Sequence, residues 1–210
     1  MPIDFSLYLV ADAEFAAGRD LLRIVDAAVQ GGVTVVQLRA KALPFREFLA
    51  LGLRAADRLA GTGVPLLIND RVDIALACGA DGVHLGQEDM PLATARKILG
   101  GDRIIGISAN TVEEARAAEA GGADYVGAAP AFATATKETA LPVLGPEGVR
   151  SIKRAVRIPV VAIGGINAGN SAALAASGAD GIAVISAVLG APDARRAAED
   201  LRKAFKRQLK

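Results

Sequence analysis

The chain has 210 residues, 52% of them hydrophobic, and its 24 basic and 23 acidic side chains leave a net charge of +1. That balance excludes the broad basic footprint of a nucleic-acid binder, and the length is enough to bury a full core without a staple. The lone Cys78 excludes an internal disulfide and fits a reducing compartment; beside Leu76, Ala77 and Gly79 it reads as a small buried residue.

The N-terminal segment carries Asp4, Asp12 and Glu14 and no basic residue before Arg19, which argues against a signal peptide. Apolar runs predict eight strands, over 6–12, 33–39, 65–69, 82–86, 103–108, 124–128, 159–163 and 182–186. Helical stretches fall between them, including Phe45 to Ala60, Thr111 to Ala120, Gly145 to Ala155 and Asp193 to Leu209. Pro192 stands where the last helix would begin. A helix-end signal recurs as Gly31-Gly32-Val33-Thr34, Gly79-Ala80-Asp81-Gly82, Gly121-Gly122-Ala123-Asp124 and Gly178-Ala179-Asp180-Gly181. Each follows an Ala-rich amphipathic stretch and precedes an apolar run, the order of βα units in a parallel sheet. Ser171 to Ala191 is the most apolar stretch, but Asp180 and its turn-forming residues make it a helix end plus a strand, not a membrane span. The expectation is one domain over 1–210, a closed (β/α)8 TIM barrel in a cytoplasmic protein. An open parallel sheet is the competing architecture.

Polar residues cluster at the C-terminal ends of these strands, where ligands bind in parallel α/β proteins. Gln37, Arg39 and Lys41 alternate with Leu38 and Ala40 and so share one strand face. Two adjacent cations repel unless an anion joins them, and arginine's fork suits phosphate; solvated charges at a strand end are the plainer reading. Asn69-Asp70 and Gln87-Glu88-Asp89 end the next two strands. Asp70 and Asp89 fit a Mg²⁺ site completed by phosphate oxygens and water, or else an N-cap at Asp70 and a turn at Asp89. His84, the only histidine, lies inside an apolar strand and reads as structural.

Thr134-Ala135-Thr136-Lys137 follows the sixth strand in a long aperiodic stretch, either a loop for an anionic substrate or bland surface. Gly164-Gly165 and Ser186 end the last two strands, where such barrels commonly bind phosphate through main-chain N–H groups. No Ser-His-Asp set, Cys/His metal spacing or Gly-x-Gly-x-x-Gly after the first strand is present. These groups point to chemistry on phosphorylated molecules, two substrates or one bisphosphate.

As an ordered set, these segments resemble the thiamine-phosphate synthase family, over nearly the whole chain from Tyr8-Leu9-Val10 to Ala183-Val184-Ile185-Ser186. Gln37-Leu38-Arg39-Ala40-Lys41, Ile68-Asn69-Asp70, Val83 to Asp89, Ile105 to Ser108, Thr134 to Lys137 and Ala162 to Ile166 carry the resemblance. It implies a transferase of thiamine biosynthesis that joins a hydroxymethylpyrimidine diphosphate to a thiazole phosphate. It places Gln37, Leu38, Arg39, Ala40, Lys41, Asn69, Ser108 and Lys137 around the pyrimidine diphosphate, with Arg39, Ser108 and Lys137 as the catalytic set. It makes Asp70 and Asp89 ligands of a Mg²⁺ cofactor and assigns Thr134, Ala135, Thr136, Gly165, Ile185 and Ser186 to the thiazole phosphate. The implied partners are these two small molecules, with neither nucleic acid nor membrane; self-association stays open.

The chain departs from the family's usual Gly-Pro and Pro-Thr loop pattern, reading Ala129-Pro130-Ala131-Phe132-Ala133-Thr134, so the loop loses the pre-organisation of a second proline. Asn110 stands where many relatives carry histidine. A thiazole tautomerase of the same fold and a non-catalytic thiamine-phosphate-binding regulator are the alternatives. The retained Arg39, Lys41, Asp70, Asp89 and Lys137 favour the synthase.

Overall fold

The computed structural model of the protein describes residues 3–134 and 141–206. Its elements alternate along the chain, beginning with β1 (Leu7–Asp12), α1 (Leu21–Gln30), β2 (Val35–Arg39), α2 (Phe45–Leu59), β3 (Leu66–Asn69) and α3 (Val72–Ala77). Next come β4 (Gly82–Leu85), α4 (Leu92–Leu99), β5 (Ile104–Ala109), α5 (Val112–Ala120), β6 (Tyr125–Ala128) and α6 (Gly145–Ala155). The order closes with β7 (Val160–Ile163), α7 (Ser171–Ala176), β8 (Gly181–Val184), α8 (Ser186–Leu189) and α9 (Ala194–Lys206). The strands pair in parallel in sequence order and β8 returns to β1, so the sheet is a closed barrel and not an open one.

Strand bounds differ from the apolar runs by two residues or fewer at each end. One difference matters for the site. Ser186, expected at the end of a strand, is the first residue of α8, because the backbone at Ile185 (φ −116°, ψ −83°) has left the extended region. Asp193, expected inside the last helix, precedes it and accepts a bond from the Arg196 N–H at 2.9 Å. Among the described residues, no helix is long and apolar enough to cross a membrane.

The recurring glycine signal does two jobs. Gly32, Gly79, Gly122 and Gly178 all hold positive φ (99°, 70°, 85° and 88°), the left-handed turn-out that ends a helix at no steric cost. The residue two places after each, or the one that opens the next strand, then ties neighbouring strands together. Thr34 Oγ1 accepts from Leu7 N, and the carboxylates of Asp81, Asp124 and Asp180 accept from Leu66, Ile105 and Val160 N–H, at 2.7–3.1 Å. The backbone N–H of each of these four residues donates back to the carbonyl of the same partner. The clamps join β1 to β2, β3 to β4, β5 to β6 and β7 to β8, a fourfold pattern at the base of the barrel.

Alternation along the strands sorts side chains into two layers. Leu7, Leu9, Val36, Leu38, Leu66, Ile68, Val83, Ile105, Val126 and Ile182 pack between the ring and its helices. Tyr8, Val10, Val35, Leu67, Tyr125, Val161 and Ala183 form a separate cluster within the ring. Tyr125 fits that narrow space because Gly106 faces it: a Cβ there would sit 2.1 Å from the Tyr125 ring. The same parity continued toward the strand ends carries Gln37, Arg39, Asn69, His84 and Ser108 to the mouth.

Replacing Asp81 by Ala strands the buried Leu66 N–H and is expected to cost about 1–2 kcal/mol in chemical denaturation. Asp81→Thr, copying Thr34, is expected to recover part of that loss.

Candidate active site

A cavity opens at the C-terminal end of the barrel, lined by Gln37, Arg39, Asn69, Ser108, Thr134, Gly165, Ile185 and Ser186 of the sequence-derived set. Tyr8, His84, Tyr125, Pro130 and Ile163 complete much of its wall. Leu38 and Ala40 are buried with the helix-facing layer, so only their backbone is available to a molecule in the cavity. Ala135, Thr136 and Lys137 lie outside the described residues.

Arg39 at the end of β2 and Lys41 just beyond it, read from the sequence as either an anion site or solvated charges, each meet a carboxylate of the protein itself. The Arg39 guanidinium bonds the Asp12 carboxylate, with Glu14 at 3.6 Å, while Lys41 Nζ lies 3.0 Å from Asp70 Oδ2. Asp12 is 3% exposed, and its carboxylate is met by the Arg39 guanidinium and by the Phe15 N–H at 2.9 Å. Sequence reasoning passed over Asp12, although it has the parity of Tyr8 and Val10 and pairs in register with Arg39.

Asp70 occupies an unusual backbone position. Its φ of +61° makes it the only non-glycine residue with positive φ among those described, and Arg71 N–H donates to Asn69 O at 2.7 Å across it. This tight three-residue turn is locally strained, and it throws the carboxylate off the end of β3. Asp70 is not a helix cap: α3 starts at Val72 without a side-chain cap bond. Asp89 does close a turn, accepting from Gly86 N–H at 2.7 Å, and its carboxyl also hydrogen-bonds that of Asp70.

Burial and the bond to Asp89 raise the Asp70 carboxyl above the ordinary carboxylate range, against the pull of Lys41. For Asp89, burial is outweighed by the bonds from Asp70 and the Gly86 N–H, which lower it. Two neighbouring carboxyls repel when both ionise, and a cation between them relieves that repulsion. Mg²⁺ commonly takes only one or two protein carboxylates and fills its remaining positions with water and phosphate oxygens, so this pair suits it. The residues present therefore fit the ion, although no group of three or more His, Cys, Asp or Glu forms a metal cage among the described residues.

On the opposite rim the loop after β6 is fastened to β7. Ala131 N–H donates to Ile163 O and Phe132 N–H to Gly164 O, at 2.8 and 3.0 Å. Gly165 holds φ +64°, and a Cβ there would come within 2.3 Å of Ala133 O, so glycine is required for packing as well as for any approach by an anion. Asn110 is buried and points away from cavity chemistry: its Nδ2 donates to Ala129 O and Pro142 O, fastening two points of the chain on either side of Thr134.

Asp70→Asn is expected to raise the melting temperature of the protein without divalent cations at neutral pH. Asparagine accepts positive φ and removes a charge that burial disfavours. A carboxyl with a raised folded pKa weakens the fold as pH climbs past its unfolded value, so the gain should fade at pH values below the ordinary carboxylate range. Thermal melts of both proteins across pH check this.

The family described as thiamine monophosphate synthase matches residues 7–188. The thiamine-phosphate synthase of Syntrophomonas wolfei is 52% identical over 204 residues, covering 97% of this chain and 98% of that protein. That of Moorella thermoacetica is 49% identical over 203 residues, covering 97% of each. Among solved structures, the thiamine phosphate pyrophosphorylase from Pyrococcus furiosus superposes with a TM-score of 0.91 at 42% identity, over 100% of this chain and 99% of that one. A 3-hexulose-6-phosphate synthase, with a TM-score of 0.71 and 21% identity over 96% of this chain and 100% of that one, shares the barrel fold alone. Matched along almost its whole length in sequence and in structure, the chain belongs to the thiamine monophosphate synthase family.

Proposed function

We propose that this transferase, a thiamine-phosphate synthase, joins 4-amino-2-methyl-5-(diphosphooxymethyl)pyrimidine to a thiazole ethyl phosphate at the mouth of the barrel, releasing pyrophosphate. The observation that carries the reading is the cluster on one rim: Lys41 paired with Asp70, the neighbouring carboxyl of Asp89, and Arg39 and Asn69 nearby on β2 and β3. That is a site for a leaving diphosphate.

Arg39, Lys41, Asn69 and Ser108 hold the diphosphate in this reading, Gln37 lies against the pyrimidine, and the family resemblance adds Lys137. Asp70 and Asp89 would hold Mg²⁺, which when bound supplies a Lewis acid for charge on the departing diphosphate. Arg39 and Lys41 exchange part of their pairing with Asp12 and Asp70 for phosphate oxygens as the carbon–oxygen bond breaks and its electron pair leaves with pyrophosphate. The electron-rich aminopyrimidine spreads the positive charge left on its methylene carbon. The thiazole nitrogen then donates its lone pair to that carbon, and no proton has to move. Thr134, Gly165, Ile185 and Ser186, joined by Ala135 and Thr136 in the family resemblance, seat the thiazole phosphate so that its nitrogen is in reach. The setting proposed is cytoplasmic, supported by the single unpaired cysteine.

The direct test supplies both substrates and Mg²⁺ to the purified protein and measures thiamine phosphate, with EDTA as control. Product that EDTA abolishes is the expected result; EDTA-resistant turnover would remove Asp70 and Asp89 from the reading. Asp89→Asn, which keeps an acceptor for the Gly86 N–H, is expected to lower kcat about a hundredfold or more with little change in melting temperature. A thiazole tautomerase would act on the thiazole phosphate alone and without metal, and the same assay separates the two.

A further inference from the structure

Five polar side chains from five strands run in series through the barrel to the cavity. Gln37 Nε2 lies 2.6 Å from the Tyr8 hydroxyl, Tyr8 2.9 Å from the Tyr125 hydroxyl, Tyr125 2.8 Å from His84 Nδ1, and His84 Nε2 2.9 Å from Ser108 Oγ. The rings are wedged in place. Gly106 makes room for Tyr125, a Cβ on Gly127 would stand 2.9 Å from His84 Cε1, and the Phe5 ring lies 4.7 Å from that of Tyr125.

With the Gln37 amide nitrogen on the Tyr8 hydroxyl, the protons in this series run in one direction. An amide nitrogen donates and never accepts, so Tyr8 accepts from Gln37. Tyr8 has one buried proton that needs an acceptor, and its other partner among the described residues is Tyr125. Tyr125 has therefore accepted, and its own proton goes to His84 Nδ1. An imidazole whose Nδ1 accepts is neutral and carries its proton on Nε2, which donates to Ser108 Oγ. Burial holds both phenols protonated far above their ordinary range, so neither breaks the sequence by ionising.

We propose that Tyr125 is a positioning residue: it fixes His84 as the Nε2–H tautomer and so leaves the Ser108 hydroxyl proton free for an acceptor in the cavity. Ser108, satisfied as an acceptor by His84, then presents a donor whose direction is set in advance. Turning the Gln37 amide over would reverse every bond, put the histidine proton on Nδ1 and commit the Ser108 proton to His84. The catalytic meaning of Ser108 rests on the function proposed above, whereas the direction of the series does not.

The chain has a single histidine, so its imidazole signals need no assignment. Long-range ¹H–¹⁵N correlation spectra of the full-length, histidine-labelled protein without substrate, in mildly alkaline buffer, read the tautomer directly. The wild type is expected to show Nε2–H. Tyr125→Phe keeps the ring but loses this preference, and kcat is expected to fall about tenfold while KM for the thiazole phosphate stays within about twofold. Tyr8→Phe leaves Tyr125 free to donate to Nδ1, so the tautomer persists and the loss in kcat is smaller. An Nδ1–H signal in the wild type, or the same tautomer and the same kcat in both variants, overturns the proposal. If Tyr125→Phe does not fold, the wild-type and Tyr8→Phe spectra decide. An Nε2–H spectrum from wild-type protein that makes no thiamine phosphate would leave the series intact and refute the function.

Discussion

A closed ring of parallel strands forces every second side chain into a space that opens to solvent only at its ends. Each inward position must therefore fill volume, satisfy its own polar atoms or stand at the mouth. In this chain one parity does all three in turn. On β1 it runs through Tyr8, Val10 and Asp12, and on β2 through Val35, Gln37 and Arg39. Apolar packing low in the barrel gives way to a hydrogen-bonded tier and then to charge. The site is what remains of the core's own pattern once the ring opens. Its side chains inherit rigidity from the strands that carry them, and none of the inward residues of β2 rests on a loop.

That rigidity begins at the other end. The Thr34, Asp81, Asp124 and Asp180 clamps fix the strand starts in pairs, each accepting one N–H of the neighbouring strand and returning its own. Register in a barrel is collective: a slip of one residue would turn Arg39 outward and Leu38 inward. Anchors at the base therefore protect the chemistry at the mouth, although no atom of them approaches it.

The barrel was legible because its periodicity is simple. Apolar runs separated by amphipathic stretches and glycine stops have few other solutions, and eight of them suggest closure. The residues at strand ends were legible for the same reason, since Gln37, Arg39 and Lys41 show their shared face in the spacing alone. What could not be read was pairing across strands. Asp12 looks like the end of an apolar run until β2 is placed beside it, and His84 looks structural until the tier of tyrosines is seen to lead through it to Ser108. The clamping role of the aspartates in the glycine signals did not show, because their partners are a strand away in space and 15 to 20 residues away in sequence. Asp70 gave two local readings, cap or ligand, and its positive φ separates them only in three dimensions.

Arg39 and Lys41 carry their own counter-ions, and this shapes what the resting protein ignores. A bare pair of cations at a funnel-shaped mouth would collect any small anion, inorganic phosphate first among them. Here an incoming anion must displace a carboxylate that is already in contact, and a lone phosphate would bring fewer contacts to that exchange than a larger ligand. On the proposed function, a diphosphate attached to a ring would spread the exchange over both cations while the ring sat deeper in the barrel. On that reading the internal ion pairs would act as a filter on ligand size, set by the protein's own acids before any substrate arrives.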